Sequence, residues 1–310
     1  TFNGEIYNYQ TLREELIAAG HTFTTKSDTE VLLHGYEQWG VDLLQRVRGM
    51  FTFVIWDKNK QELFGARDHF GIKPFYYAKM NGTFMYASEI KSLLRHPDFV
   101  KELNAEALKP YMTFQYPAIG ETFFKGVYKL PEGHYFTYRD GKMDIHRYYD
   151  EDFREGKQKL GELVNSIDQT VCDSVKAHQI ADVEVGSFLS SGVDSSYVAA
   201  VARPQHTYSI GFGKGTYNES QQAGELAELL KLNNTAESLT DEEAFAAFPR
   251  IQWHLDEPDS NPSCVPLYFL SALAAKDVKV VLSGEGADEL FAGYIDYGVH
   301  TKFKPIKVVT

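Results

Sequence analysis

Cysteine is scarce: two residues in 310, Cys172 and Cys264, neither in a CxxC pair. That count excludes a disulfide framework. The ten histidines show no i, i+4 pair and no grouping with cysteine at zinc spacing, so no metal site of that kind is expected. Positive charge is also short, with Lys+Arg 31 against Asp+Glu 43 and a net charge of −12. Non-specific nucleic-acid binding runs on phosphate neutralisation, so an acidic balance argues against it. A single nucleotide stays compatible, because one anion needs only local backbone donors. No apolar run approaches the roughly 18 residues of a membrane helix, and no secretory leader opens the chain. The expected location is therefore the cytoplasm, with no membrane partner. Internal repeats and low-complexity tracts are absent as well. What remains, 43% hydrophobic and 24% charged, is an ordinary globular composition, long enough for one large domain or two ordinary ones.

The first half, to about residue 150, reads as sheet-rich. Aromatic and β-branched stretches recur at 50–56, 74–77, 84–86 and 134–138. Turn signals separate them: Asp57-Lys58-Asn59-Lys60, Asn81-Gly82, Pro131-Glu132-Gly133 and Asp140-Gly141. Two helical patterns, near 9–18 and 29–38, make this an α+β arrangement with much antiparallel sheet. Residues 151–161 are charged and poor in apolar side chains, a linker. Beyond it Leu160, Leu163, Val164, Ile167, Val171 and Val175 recur every three to four residues, the mark of a helix with one apolar face. Apolar strands at 183–189, 207–212 and 279–282 then alternate with helical stretches near 194–202, 219–231 and 263–276. Such alternation predicts βαβ units and a parallel sheet covered on both faces. The domains expected are 1–150 and 162–310.

Two strand–turn–helix junctions in the second half carry chemistry. Leu189-Ser190-Ser191-Gly192-Val193-Asp194-Ser195-Ser196 leaves a buried-type strand and opens a helix. A helix N-terminus offers unpaired N–H groups and partial positive charge, which suit phosphate. Small residues let the backbone close on the anion, and Asp194 among phosphates calls for an intervening Mg²⁺. A Ser-rich turn capping a helix explains the bare string equally well. Neither GxxxxGK[ST] nor GxGxxG occurs, and Gly211–Gly215 reads as a flexible connection. The second junction is Val280–Leu290, with Ser283, Gly284, Glu285, Asp288 and Glu289 at the carboxyl end of a strand, where open α/β sheets bind ligands. Asp288 and Glu289 have a structural explanation as first-turn acids. Glu285, between two glycines, does not. Ile210 can wall an adenine ring, although a strand isoleucine is usually core.

The first junction resembles the pyrophosphate-loop motif SGGxDS of ATP pyrophosphatases, with Ser191 in place of the first glycine. SSGVDSS, Asp256-Glu257-Pro258 and SGEGADELFAGY, in that order, resemble the synthetase domain of glutamine-dependent asparagine synthetases. The first half agrees independently. Asn3–Asn8, Ser27–Glu30, Arg48–Phe51, Arg67–Tyr76 and Ala87–Lys91 resemble that family's glutaminase domain. The resemblance runs from residue 3 to about 294. It implies an α+β N-terminal-nucleophile-type glutaminase domain followed by an α/β ATP pyrophosphatase (PP-loop) domain. The implied reaction is a carbon–nitrogen ligation that forms asparagine through β-aspartyl-AMP. Aspartate, glutamine and ATP are the implied substrates, Mg²⁺ the implied metal.

The roles it implies follow residue by residue. Asn3 and Gly4 match an oxyanion hole. They also bind glutamine together with Glu5 and Asp28, the carboxylates that hold its α-ammonium. Read without the family, Asn3-Gly4 is a turn and Asp28 a helix N-cap. Leu189, Ser190, Ser191, Gly192, Asp194, Ser195, Ile210, Ser283 and Gly284 match ATP-contacting positions. Asp194 and Asp288 match Mg²⁺–pyrophosphate partners, and Glu285 the acid of the β-aspartyl-AMP step, as base toward ammonia. Asp256-Glu257-Pro258 either lines the aspartate pocket or forms a turn before a helix. Arg67-Asp68 and Lys73-Pro74 read as structural, a buried pair plus a turn.

The family's nucleophile is a cysteine at the mature N-terminus. This chain opens with Thr1, and Cys172 and Cys264 lie outside the glutaminase half. The expectation is an internal fragment that does not hydrolyse glutamine alone. A β-lactam synthetase-like relative is the alternative within this architecture, and a non-catalytic regulatory protein the alternative of another class. The retention of Asn3, Gly4, Glu5 and Asp28 argues against the former, and the phosphate-type loops against the latter. The resemblance leaves room for a homodimer.

Overall fold

The computed structural model describes residues 1–152, 156–212, 219–295 and 297. The chain divides into two compact units, one of residues 1–157 and 252–261, the other of residues 158–251 and 262–310. The division at 157/158 falls within the stretch read as a linker, of which residues 153–155 lie outside the described residues. The inclusion of 252–261 in the first unit was not foreseen.

The first unit has four layers, set by side-chain alternation along its strands. Strands β1 (Phe2–Ile6), β2 (Gly49–Asp57), β3 (Glu62–Arg67), β7 (His134–Arg139) and β8 (Lys142–Arg147) form one antiparallel sheet in the order β1-β2-β3-β7-β8. Strands β4 (Tyr76–Met80), β5 (Thr83–Ala87) and β6 (Val127–Lys129) form a second, ordered β5-β4-β6. One face of β2 sends Phe51 and Phe53 to join Leu12 and Leu16 of α1 (Tyr9–Ala18) and Val31 and Leu32 of α2 (Asp28–Trp39). Its other face sends Val54 into a cluster with Phe75, Leu130 and Phe136, packed by Tyr77, Phe84 and Tyr86 from the second sheet. The far side of that sheet, with Tyr76, Ala78 and Met85, covers Ile90 and Leu93 of α3 (Ile90–Leu93). The order is helices, sheet, sheet, helix. Helix α4 (Leu108–Phe114) completes the unit.

The second unit is a four-stranded parallel sheet. Its strands are β9 (Val185–Phe188), β10 (His206–Phe212), β11 (Asn233–Leu239) and β12 (Val280–Leu282), in the order β11-β10-β9-β12. Helices α6 (Val193–Ala202) and α7 (Glu219–Leu230) cover one face around Leu189, Ala199, Ala223 and Ala227. Helix α9 (Cys264–Ala274) covers the other around Tyr208, Leu273 and Val278. Helix α5 (Leu160–His178) realises the predicted periodicity, but only its C-terminal half is covered: Val175 is buried, whereas Leu160 is 77% exposed. Residues 241–251 of helix α8 (Asp241–Leu255) and helix α10 (Ala287–Phe291) complete the set. Strand β11 and helix α8 were not expected. Gly213, Lys214 and Gly215 of the stretch read as a flexible connection lie outside the described residues.

Candidate functional site

In the first unit the predicted residues converge on β1. Asn3 and Glu5 project from its exposed face, while Ile6 enters the helix-side core. Asn3-Gly4 is strand, not turn. The strand tolerates the sequence because Gly4 (φ +152°) lies where a Cβ would stand 2.1 Å from the Met50 carbonyl oxygen. Gly49 does the reciprocal service, its hypothetical Cβ falling 2.1 Å from the Glu5 carbonyl oxygen. Two glycines therefore let β1 and β2 close up. The Asn3 side-chain amide donates to Ser88 Oγ at 3.0 Å, a partner the sequence marked only as part of a motif. A cavity of about 110 Å³ opens beside it, lined by Thr1, Asn3, Thr52, Val54, Tyr86 and Ser88 among others. Asp28 does not cap α2; Ser27 does, its hydroxyl accepting from the Thr29 amide at 3.1 Å. The Asp28 carboxylate instead accepts from the Ile6 amide at 3.1 Å, which ties the start of α2 to the end of β1.

Arg67 and Asp68 are buried, and each is satisfied by backbone. Arg67 donates to the carbonyls of Lys73, Leu130 and Gly71 at 2.8, 2.7 and 2.6 Å. Burial lowers the pKa of its guanidinium, and the Asp68 charge opposes that shift. Asp68 accepts from the amides of Phe51, Phe70, Ile72 and Lys73 at 2.9–3.1 Å. The structural reading holds, though as two backbone clamps on one turn rather than as a pair. Asp256 and Glu257 are likewise engaged within the first unit. Asp256, at φ +64°, accepts from the amides of Ile90 and Lys91 at 2.7 and 3.2 Å and pairs with Lys91 Nζ at 2.9 Å. Glu257 accepts from the Phe123 amide at 2.9 Å, and burial raises its pKa. Both carboxylates thus bind groups more than 130 residues away in sequence, not amides of their own turn.

In the second unit the strand order itself locates a site. Chain order runs outward from β9 through β10 to β11, then returns to β12 on the other side of β9. Ligands of open α/β sheets bind outside the carboxyl ends of the strands at such a reversal. The loops there are Leu189–Gly192 and Ser283–Gly286, the two singled out by sequence. They touch: a Cβ on Gly284 would stand 2.8 Å from the Ser195 amide nitrogen and 2.9 Å from Asp194 Cβ. The first loop is drawn together by its serines, with Ser190 Oγ 2.7 Å from Ser195 Oγ and the Gly192 amide donating to Ser190 Oγ at 3.1 Å. Ser191 is absent from the residues of positive φ, so serine fits where the motif has glycine.

Glu285 is exposed, and Gly286 (φ +86°) turns the chain into α10. Asp288 is half-buried, its carboxylate folded back over Gly293, and the Glu289 carboxylate accepts from Tyr294 Oη at 2.8 Å. That bond, with the charges of Glu289, Asp288 and Glu285 behind it, lifts the Tyr294 phenol to about 12. The side chain of Leu189 is core, so only its backbone is presented to the loop. Ile210 packs toward α9, two residues beyond the Tyr208–Phe188 pairing and thus level with the start of the loop. Cys172 is half-buried, with Sγ 3.9 Å from Asp168 Oδ1.

Residues 1–149 match the glutamine amidotransferase domain family, and residues 166–305 match the asparagine synthase family. Asparagine synthetase [glutamine-hydrolyzing] 1 of Bacillus subtilis is 44% identical over 311 residues, covering 99% of this chain and 49% of its own length. The chain belongs to the asparagine synthetase family. A putative asparagine synthetase of Mycobacterium tuberculosis is 41% identical, covering 98% of this chain and likewise 49% of its own length. The chain thus spans about half the length of these curated relatives. A solved glutamine phosphoribosylpyrophosphate amidotransferase from B. subtilis covers 76% of this chain and 44% of its own at 16% identity, and its TM-score of 0.34 is too low to bear on the fold. Among the described residues of this asparagine synthetase relative, no helix is long and apolar enough to cross a membrane.

Proposed function

We propose that this chain is part of an enzyme that makes asparagine from aspartate, glutamine and ATP, releasing glutamate, AMP and pyrophosphate. The observation that carries the reading is the contact of Gly284 with Asp194 and Ser195. It brings the phosphate-type loop against the loop that carries Glu285, at the reversal point of a parallel sheet, and so supports the reading. In the glutaminase step the second N–H of the Asn3 amide and the Gly4 N–H stabilise the oxyanion of amide cleavage. Glu5 and Asp28 hold the glutamine α-ammonium. Asp28 can do so while retaining the Ile6 amide, because a carboxylate has about four acceptor sites.

In the synthetase step the N-terminus of α6 and the Ser190–Ser195 loop hold the pyrophosphate end of ATP. Ser283, Gly284, Ile210 and the Leu189 backbone border the remainder of the nucleotide. Asp194 and Asp288 supply hard oxygen donors, which fit Mg²⁺, and they are the residues that would hold it. When bound, the ion neutralises phosphate charge. Glu285 takes a proton from ammonia as its nitrogen attacks the acyl carbon of β-aspartyl-AMP and AMP departs. The reading places the enzyme in the cytoplasm and allows a homodimer. The test is pyrophosphate release from ATP by the full-length enzyme. Release should require aspartate, and Glu285→Gln should lower asparagine formation at least 100-fold. Release independent of aspartate, or full activity in Glu285→Gln, would sink the proposal.

A further inference from the structure

Away from both candidate sites, His21, His34 and Glu37 bring one donor atom each into a small triangle. His21 Nδ1 lies 3.2 Å from His34 Nδ1 and 3.7 Å from Glu37 Oε2, and His34 Nδ1 lies 3.0 Å from Glu37 Oε2. We propose that these three side chains bind a divalent transition-metal ion of the zinc class. Zinc bonds of about 2.0–2.1 Å at tetrahedral angles set neighbouring donors about 3.3 Å apart. The three edges here bracket that value. A point equidistant from the three atoms in their own plane is about 1.9 Å from each. An ion at ordinary bond length therefore sits slightly out of the plane, with its fourth position open.

Hydrogen bonding alone accounts for the cluster less well. A ring nitrogen carries at most one proton, and the two Nδ1 atoms and the carboxylate oxygen are all mutually close. The outward nitrogens support the same reading. His21 Nε2 is 3.0 Å from Gln38 Oε1, an acceptor that fixes the proton on Nε2 and leaves the Nδ1 lone pair facing inward. His34 Nε2 faces the Glu30 carboxylate at 3.7 Å, which is anchored by the amides of Thr24 and Thr25 at 2.7 and 2.6 Å. Metal-ligating histidines typically have such outer partners. Two imidazoles and one carboxylate favour zinc, nickel or cobalt over magnesium or calcium.

The histidine side chains are 16% and 21% exposed, and that of Glu37 is 64% exposed, so the ion has an entry path. It would clamp the connection after α1, where His21 lies, onto α2, whose first residue is Asp28. The spacing hides the site from a sequence scan, because the histidines are thirteen residues apart and the third ligand is a glutamate.

The test uses the purified chain, stripped with a chelator and titrated with Co²⁺ and then Zn²⁺. The expected result is a visible d–d band of tetrahedral or five-coordinate Co²⁺ saturating at one equivalent, without sulfur charge transfer, and bleached by Zn²⁺. Melting temperature should rise with added Zn²⁺. Glu37→Gln, at an exposed position, should weaken binding at least 10-fold without loss of fold, and His21→Gln should abolish the band. No band, a thiolate spectrum from Cys172 or Cys264, or a band unchanged in both variants would overturn the proposal.

Discussion

Removing the Asp68 carboxylate should be among the most damaging single changes in the first unit. The side chain is 1% exposed and accepts four amide hydrogen bonds: Phe51 and Lys73 on one oxygen, Phe70 and Ile72 on the other. Hydrogen bonds to charged groups are worth about 1.5–3 kcal/mol each, and a buried donor left unpaired forfeits about as much. The Phe51 amide lies in the core and cannot rehydrate, whereas the three turn amides are partly accessible. Asp68→Ala should therefore destabilise the first unit by about 4–6 kcal/mol. Asp68→Asn keeps one oxygen but sets an NH₂ against two donors, for about 3–5 kcal/mol. Against a typical domain stability of about 5–15 kcal/mol, either variant stands near the edge of folding. Trp39 and Trp56 lie in the first unit, whereas Trp253 is on α8, most of which belongs to the second, so urea unfolding followed by tryptophan emission in a Trp253→Phe background reports on the first unit selectively. Arg67 grips the carbonyls of the same turn, so Arg67→Met combined with Asp68→Asn should cost less than the sum of the singles. A loss under about 1 kcal/mol for Asp68→Ala, or full additivity in the double variant, would refute the clamp.

Two further outcomes follow from the same reasoning. Gly284→Ala places a methyl group 2.8 Å from the Ser195 amide nitrogen, so calorimetry on the full-length enzyme should show ATP binding weakened at least 10-fold, with the first unit's urea transition unmoved. Burial raises the Glu257 pKa above its ordinary 4.5. The neutral acid is thus the form the fold prefers, and its contribution, full at low pH, is lost as pH rises through the folded value. Glu257→Gln, which retains an oxygen for the Phe123 amide, should be the more stable protein at pH 8 and should lose that advantage toward pH 4.5. A stability difference that does not vary with pH would contradict this.

Much of the architecture was legible because burial leaves a pattern. Strands β9, β10 and β12 are covered on both faces and read as short apolar runs. Helix α5 was visible from periodicity, although the pattern could not tell that Leu160, Leu163 and Val164 are exposed. Strand β11, Asn-Asn-Thr-Ala-Glu-Ser-Leu, left no such signal. It is the edge of its sheet, and apart from Leu239 its residues are at most half-buried, so pairing to β10 holds it rather than its own composition. Asp256-Glu257-Pro258 stood out as a motif, but the role of Asp256 did not: its partners Ile90 and Lys91 are about 165 residues away in sequence, and two acids before a proline look like any turn.

Both candidate sites turn on glycines whose meaning depends on what approaches them. Asn3-Gly4 has the composition of a turn, and secondary-structure propensity assigns it to one. It is strand because the Met50 carbonyl passes where a side chain would be, and this close pairing presents the Asn3 amide and the neighbouring N–H together on one edge. Gly284 plays the corresponding part at the other site, where the Asp194-Ser195 backbone fills the space. In each case a Cβ would push apart the two segments that make the site. The motif is therefore readable as chemistry only when the neighbouring segment is known. At Asn3-Gly4 propensity points to a turn, and only the resemblance to a family, which carries such spatial information implicitly, singles the pair out, whereas Gly284 stands in a strand–turn–helix junction that the sequence pattern shows by itself.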